Sequence, residues 1–79
     1  MTDLENLLGI LARSLVDEPD KVEVSSTETD SRVDLELRVA EGDIGKVIGR
    51  QGRTIRAIRI VVKAASVKAG KRTNVEVLD

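Results

Sequence analysis

Gly49, Arg50, Gln51 and Gly52 are the neighbouring residues of this chain best suited to hold a charged ligand. Glycine tolerates positive φ and carries no Cβ, so a backbone built on it comes within hydrogen-bonding distance of a bulky anion. The second glycine precedes a run with helical periodicity. A helix start offers free N–H groups and the positive end of the helix dipole, and both favour phosphate. Arg50 and Gln51 add a cation and an amide donor between the glycines. Taken alone the signal is weak, because most Gly-x-x-Gly pairs are plain helix-terminating turns.

The remaining inventory points away from covalent chemistry. The chain has no Cys and no His, which excludes a zinc finger, a thiol nucleophile, a disulfide scaffold and an imidazole acid or base. Its Ser and Thr residues have no His to activate them, its carboxylates show no defined partner spacing, and no Walker-type phosphate loop is present. The expectation is a binding module, not an enzyme, with no cofactor and no metal. With 0% aromatic residues, it lacks the stacking platform of RRM and most OB-type binders. No apolar run approaches the ~20 residues of a membrane span, so no membrane insertion is expected. Asp3 and Glu5 stand where a signal peptide would be basic, and the expected location is cytoplasmic.

A formal net charge of −1 would ordinarily argue against a nucleic-acid partner. Its distribution reverses that impression. Residues 1–42 carry four basic side chains against eleven acidic ones. Residues 43–72 carry Lys46, Arg50, Arg53, Arg56, Arg59, Lys63, Lys68, Lys71 and Arg72 against Asp43 alone. Basic residues are also good solvated helix formers, but a block this one-sided reads as a phosphate-attracting patch on an acidic body, which could suppress indiscriminate binding.

These residues need elements to position them, and the hydrophobic pattern supplies a compact α+β order. Thr2 and Glu5 have capping-box spacing, and Leu4, Leu7, Leu8, Leu11 and Leu15 follow as a helical stripe that Pro19 stops. Val22 and Val24 predict a short strand, and the Ser25–Ser31 stretch a polar hairpin connection. Val33, Leu35, Leu37 and Val39 alternate strictly with charged residues, the clearest strand in the chain. Asp43 is placed to cap a short helix ending at Ile48. After Gly52 a longer helix carries Ile55, Ile58, Val62, Ala65 and Ala69 on one face until Gly70, and Val75 and Val77 alternate in a last strand. The 79 residues thus form one α-β-β-α-α-β domain, with helices covering one face of a three-stranded sheet.

The run Val47-Ile48-Gly49-Arg50-Gln51-Gly52-Arg53-Thr54-Ile55 resembles the signature of the KH domain: hydrophobic-Ile-Gly-x-x-Gly-x-x-Ile between two helices. Ile44-Gly45-Lys46 upstream fits the same family, and the element order is that of its prokaryotic, type II form. The likeness covers essentially the whole chain. It implies a groove for about four single-stranded nucleotides, with the loop clamping the RNA backbone. Carried over, Gly49, Arg50, Gln51 and Gly52 would hold phosphates, while Lys46 and Arg53 would add electrostatic contacts; Arg56, next to Arg53 on the basic sector of the long helix, can reach RNA beside the loop. Ile48 and Ile55 would floor the groove or serve as core. In type II members the loop before the last strand borders the groove; here it is expected to span Gly70–Asn74. That makes Lys71 and Arg72 second-rank contacts and puts Thr73 or Asn74 near a base edge.

The long helix carries a third face. Ile60, Ala64 and Val67 lie about opposite its core stripe, while Arg59 and Lys63 fall on the basic sector, either near RNA or simply solvated. Members of the family self-associate and pair with a larger Jag-type KH protein, so the resemblance implies a homodimer or such a heterodimer through this face. Pairing two small grooves raises affinity through effective concentration. A scaffold domain that associates through Ile60, with RNA or single-stranded DNA binding secondary, is the alternative reading.

Overall fold

A computed structural model of the chain describes residues 3–67 and 70–78. Helix α1 spans Asp3–Leu15. Its first turn holds Asp3 and Glu5 and its last holds Arg13, charges that complement the helix dipole. A turn at Pro19–Lys21 leads into strand β1, Glu23–Glu28, and strand β2, Arg32–Arg38. Helix α2, Ile44–Ile48, and helix α3, Arg53–Ser66, flank a tight turn at Arg50–Gly52, and strand β3, Arg72–Leu78, completes the sheet. The expected order α-β-β-α-α-β holds. The sheet is mixed: β2 lies central, antiparallel to β1 and parallel to β3.

The helices and the sheet close on one core. Val33, Leu35 and Leu37 of β2, Val75 of β3, Leu8 and Ala12 of α1, Val47 of α2 and Ile55, Ile58 and Val62 of α3 are all buried. The side chains between them on β2 point outward, as strand alternation requires.

Four local expectations need correction. Strand β1 continues through Ser25–Glu28, and only Thr29–Ser31 turn. The Thr29 amide donates to Arg32 O at 2.8 Å and the Arg32 amide to Thr29 Oγ1 at 3.1 Å. The ladder to β2 holds one side of the β1 backbone without demanding apolar side chains. Arg72, Thr73 and Asn74 likewise belong to β3, paired with Arg32, Val33 and Asp34, so they are not loop residues. In α1, Leu8 and Ala12 form the core while Leu15, at the helix end, overhangs and is exposed. In α3, Ala65 is exposed and Ser66 is buried. Burial of Ser66 is tolerated because its hydroxyl donates to Lys63 O at 2.8 Å, with Lys71 O at 3.4 Å. Thr2, Lys68 and Ala69 lie outside the described residues.

Candidate nucleic-acid interface

Helix α2 ends at Gly49, whose amide donates to Gly45 O at 2.8 Å. Gly49 adopts φ 75°, ψ 171°. A Cβ there would lie 2.7 Å from Thr54 Cβ and 2.9 Å from Thr54 N, besides colliding with Thr54 Oγ1. The first glycine is therefore required by both conformation and space. Gln51 at φ 57° is the one non-glycine with positive φ among the described residues, and Gly52 follows at φ 74°. Two successive left-handed residues reverse the chain sharply, and the Gly52 amide closes the turn on Gly49 O at 3.1 Å. Left-handed conformation in a residue with a Cβ costs on the order of 1–3 kcal/mol and concentrates at functional sites. Gly52 opens α3 with no side-chain cap, and the Arg53 amide that follows it donates to Arg50 O.

Arg56 braces this turn from within α3, donating from Nε to Gly52 O at 3.3 Å and from Nη2 to Gln51 O at 3.0 Å. Arg50 and Arg53 are exposed and form no ion pair among the described residues. Lys46 is differently placed: its ammonium sits 3.2 Å from Asp17 and 3.6 Å from Asp43. Ile48 is half-buried against the core beneath the turn, whereas Ile55 is buried and serves as core.

Asp43 does not cap α2 with its side chain. Instead its carboxylate, 2% exposed, accepts the amides of Asp17 at 3.2 Å and Glu18 at 3.0 Å. It thereby ties the segment after α1 to the start of α2. Burial alone would raise its pKa, but those two amides and the Lys46 charge outweigh burial and hold it below the ordinary 3.8. Hydrogen bonding to Asp17 and the charges of Asp17 and Asp43 push Lys46 up from 10.5, against a smaller opposing effect of burial. The sequence signal for this role was the isolation of Asp43 as the only acid in a basic block.

The predicted cations separate into two groups. Lys46 of α2, Arg50 of the turn, and Arg53 and Arg56 of the first turn of α3 stand at the N-terminal end of α3, with the neutral Gln51 among them. Lys71 and Arg72 lie beyond its C-terminal end, and with 14 residues the helix is roughly 21 Å long at 1.5 Å per residue. There Lys63, Ser66, Val67, Lys71, Arg72 and Thr73 line a hollow of about 380 Å³. Lys71 is held by Glu28 at 3.0 Å. Between the two groups stands Arg59, whose role the periodicity left open. Its Nε and Nη2 both donate to the Val75 carbonyl of β3, at 3.2 and 3.1 Å. No sequence spacing announces that contact, which joins residues 16 apart.

The outward face of α3 is apolar. Ile60 and Val67 are 69% and 70% exposed, Ala64 is exposed beside them, and Val61 extends the surface toward a hollow of about 240 Å³ shared with Leu11 and Leu15 of α1. Among the described residues no group of acidic side chains could hold a metal, and no helix is long and apolar enough to cross a membrane.

A mixed sheet in the order β1-β2-β3, helices on one face and a Gly-x-x-Gly turn joining α2 to α3 define a KH domain of the type II arrangement. Residues 5–77 match the family described as KhpA/KhpB, KH domain. The chain belongs to this family of non-catalytic RNA-binding proteins. It is 52% identical to the RNA-binding protein KhpA of Clostridium acetobutylicum over 75 residues, 95% of this chain and 100% of that one. With the RNA-binding protein KhpA of Bacillus subtilis it shares 47% identity over the full length of both. Among solved structures the fold matches Era, crystallised with MgGDPNP and nucleotides 1506–1542 of 16S ribosomal RNA, with a TM-score of 0.69 over 95% of this chain at 18% identity. This chain spans only 30% of Era, and the likeness is one of fold.

Proposed function

We propose that the protein binds single-stranded RNA by clamping its backbone at Gly49–Gly52 and acts in post-transcriptional regulation. The observation that carries this reading is a glycine turn whose exposed Arg50 and Arg53 are unpaired among the described residues, opening onto the uncapped start of α3. Phosphates approach the turn backbone closely at Gly52, where a Cβ would meet only Ile55 Cγ2 at 4.0 Å, while Gly49 lets the turn close against Thr54, and Arg50, Gln51 and Arg53 supply donors around them. Half-buried Ile48 gives the bases apolar contact. Arg56 holds the loop in shape, and Lys46 adds positive potential from within its ion pairs. Lys71 and Arg72 extend the electrostatic path at the far end of α3.

Replacing Arg50 and Gln51 together with Asp tests the clamp. The expected result is a loss of binding to single-stranded RNA of about 100-fold or more, since like-charge juxtaposition costs several kcal/mol, with the thermal melt retained. Wild-type binding should weaken with salt at a log–log slope of roughly −2 to −3 for three to four neutralised phosphates. A double variant that binds as wild type overturns the clamp. Competition between matched RNA and DNA oligonucleotides reports whether the groove distinguishes them.

A second reading rests on the exposed Ile60, Ala64 and Val67 face, which suits a homodimer or a heterodimer with a Jag-type KH protein. A patch of this kind on a small domain is a candidate association surface. The expected effect of Ile60→Glu is conversion of a dimer to a monomer by light scattering. An unchanged mass removes that interface.

A further inference from the structure

Arg59 lies one helical turn beyond Arg56 and one before Lys63 on the same flank of α3, facing edge strand β3. Any strand that leaves the loop along this flank must pass it. Its guanidinium is not free to sweep, because Nε and Nη2 converge on the single carbonyl of Val75. A guanidinium carries five N–H donors, and that contact uses only the edge shared by Nε and Nη2. The end-on fork, made of one N–H from Nη1 and one from Nη2, has no partner among the described residues. Fixed, forked and exposed, it matches a pair of adjacent acceptors, and it has already lost the rotamer freedom that binding would otherwise remove.

Only some bases offer that pair. Guanine presents O6 and N7 side by side, and cytosine presents O2 and N3. Adenine puts its N6 amino group beside N7, and uracil puts N3–H beside each carbonyl, so both would set a donor against a donor. We propose, on the basis of the RNA-clamp reading, that Arg59 reads one base of the bound strand and selects guanine or cytosine over adenine and uracil.

The test uses the full chain and fluorescent eight-nucleotide RNAs of adenine carrying a single guanine, cytosine or uracil at each position in turn. The expected result is one position at which guanine or cytosine, but not uracil, tightens binding at least about fivefold over adenine, the lower end of the discrimination of a bidentate contact. Arg59→Lys keeps the charge but not the fork, and should bring that ratio close to one. A base analogue gives the same test without altering the protein: 7-deazaguanine or 3-deazacytosine at the preferred position should also erase the preference. Wild-type binding without base preference, a ratio preserved in Arg59→Lys, or a preference preserved with the analogue overturns the role of Arg59 and leaves the clamp standing. Failure of the wild type to bind any of these RNAs overturns both.

Discussion

The two ends of α3 are both basic, yet they are built differently. At the N-terminal end, two glycines and a left-handed Gln51 hold the chain in a turn with Arg50 and Arg53 exposed around it. At the C-terminal end, Lys71 is bonded to Glu28 and its carbonyl is within reach of the buried Ser66 hydroxyl. In sequence the two groups look alike, as cations near a glycine. In space Arg50 and Arg53 form no ion pair among the described residues and are backed by strained backbone, whereas Lys71 is paired with Glu28 and Arg72 is tied into the sheet. A count of charges therefore measures potential, while availability depends on which carboxylates the fold brings alongside.

The largest effect should come from altering the side chains at each end separately. Against the loss of about 100-fold or more for the Arg50 and Gln51 replacements, Lys71→Ala with Arg72→Ala should weaken RNA binding only about three- to tenfold, as lost long-range attraction at partly screened sites. Equal losses measured by fluorescence anisotropy would show that the two ends act as one site.

The glycines sharpen the same contrast. Gly49→Ala forces a Cβ against the Thr54 backbone nitrogen at 2.9 Å, so the turn itself must shift. The expected cost is about 2–3 kcal/mol in denaturant unfolding, in the range for strained backbone, with RNA binding lost in parallel. Gly70→Ala meets nothing within 4 Å, and only its φ of 67° resists. There the cost should be about 1 kcal/mol, with little change in RNA affinity. Were the two substitutions to cost the same, the Thr54 contact would not be what fixes the loop.

That difference also marks what could be read from sequence. The strict alternation of Val33, Leu35, Leu37 and Val39 announced the central strand, because a one-sided strand must alternate. The periodicity of Ile55, Ile58 and Val62 similarly announced the face of α3. Edge segments were harder. Ser25–Glu28 and Arg72–Asn74 are held by backbone ladders that leave little hydrophobic signature, and they read as loops. The glycine turn was legible because its conformation demands particular residue types. The distant partners of Lys46, Asp43 and Arg59 were not, since a contact between residues 16 to 29 apart depends on the finished fold.

Asp43 supports the first end from below and gives it a pH dependence. Its folded pKa is lowered, so its contribution is present above the unfolded value of about 3.9 and is lost as pH falls through the lower folded one. Asp43→Asn keeps one acceptor oxygen but turns an NH₂ group toward an amide, so it should melt below the wild type at pH 7. The gap between the two melting temperatures should hold steady down to about pH 5 and narrow below about pH 4. A gap independent of pH would mean that the carboxylate contributes by shape, not by charge.

The smallest expected effect concerns the far end alone. Glu28, half-exposed, holds Lys71 at 3.0 Å, and exposed pairs of this kind contribute about 0–1 kcal/mol. Glu28→Gln should therefore leave the thermal melt almost unchanged. It removes a negative charge and frees the ammonium, so RNA affinity at low salt should rise, by about twofold, and the gain should vanish as salt screens it. The sign is informative. A rise would mean that the acidic half of the chain restrains the basic half through a specific contact. A fall would mean that the ion pair orients Lys71 toward the strand, and the two ends of α3 would then differ less than their pairing suggests.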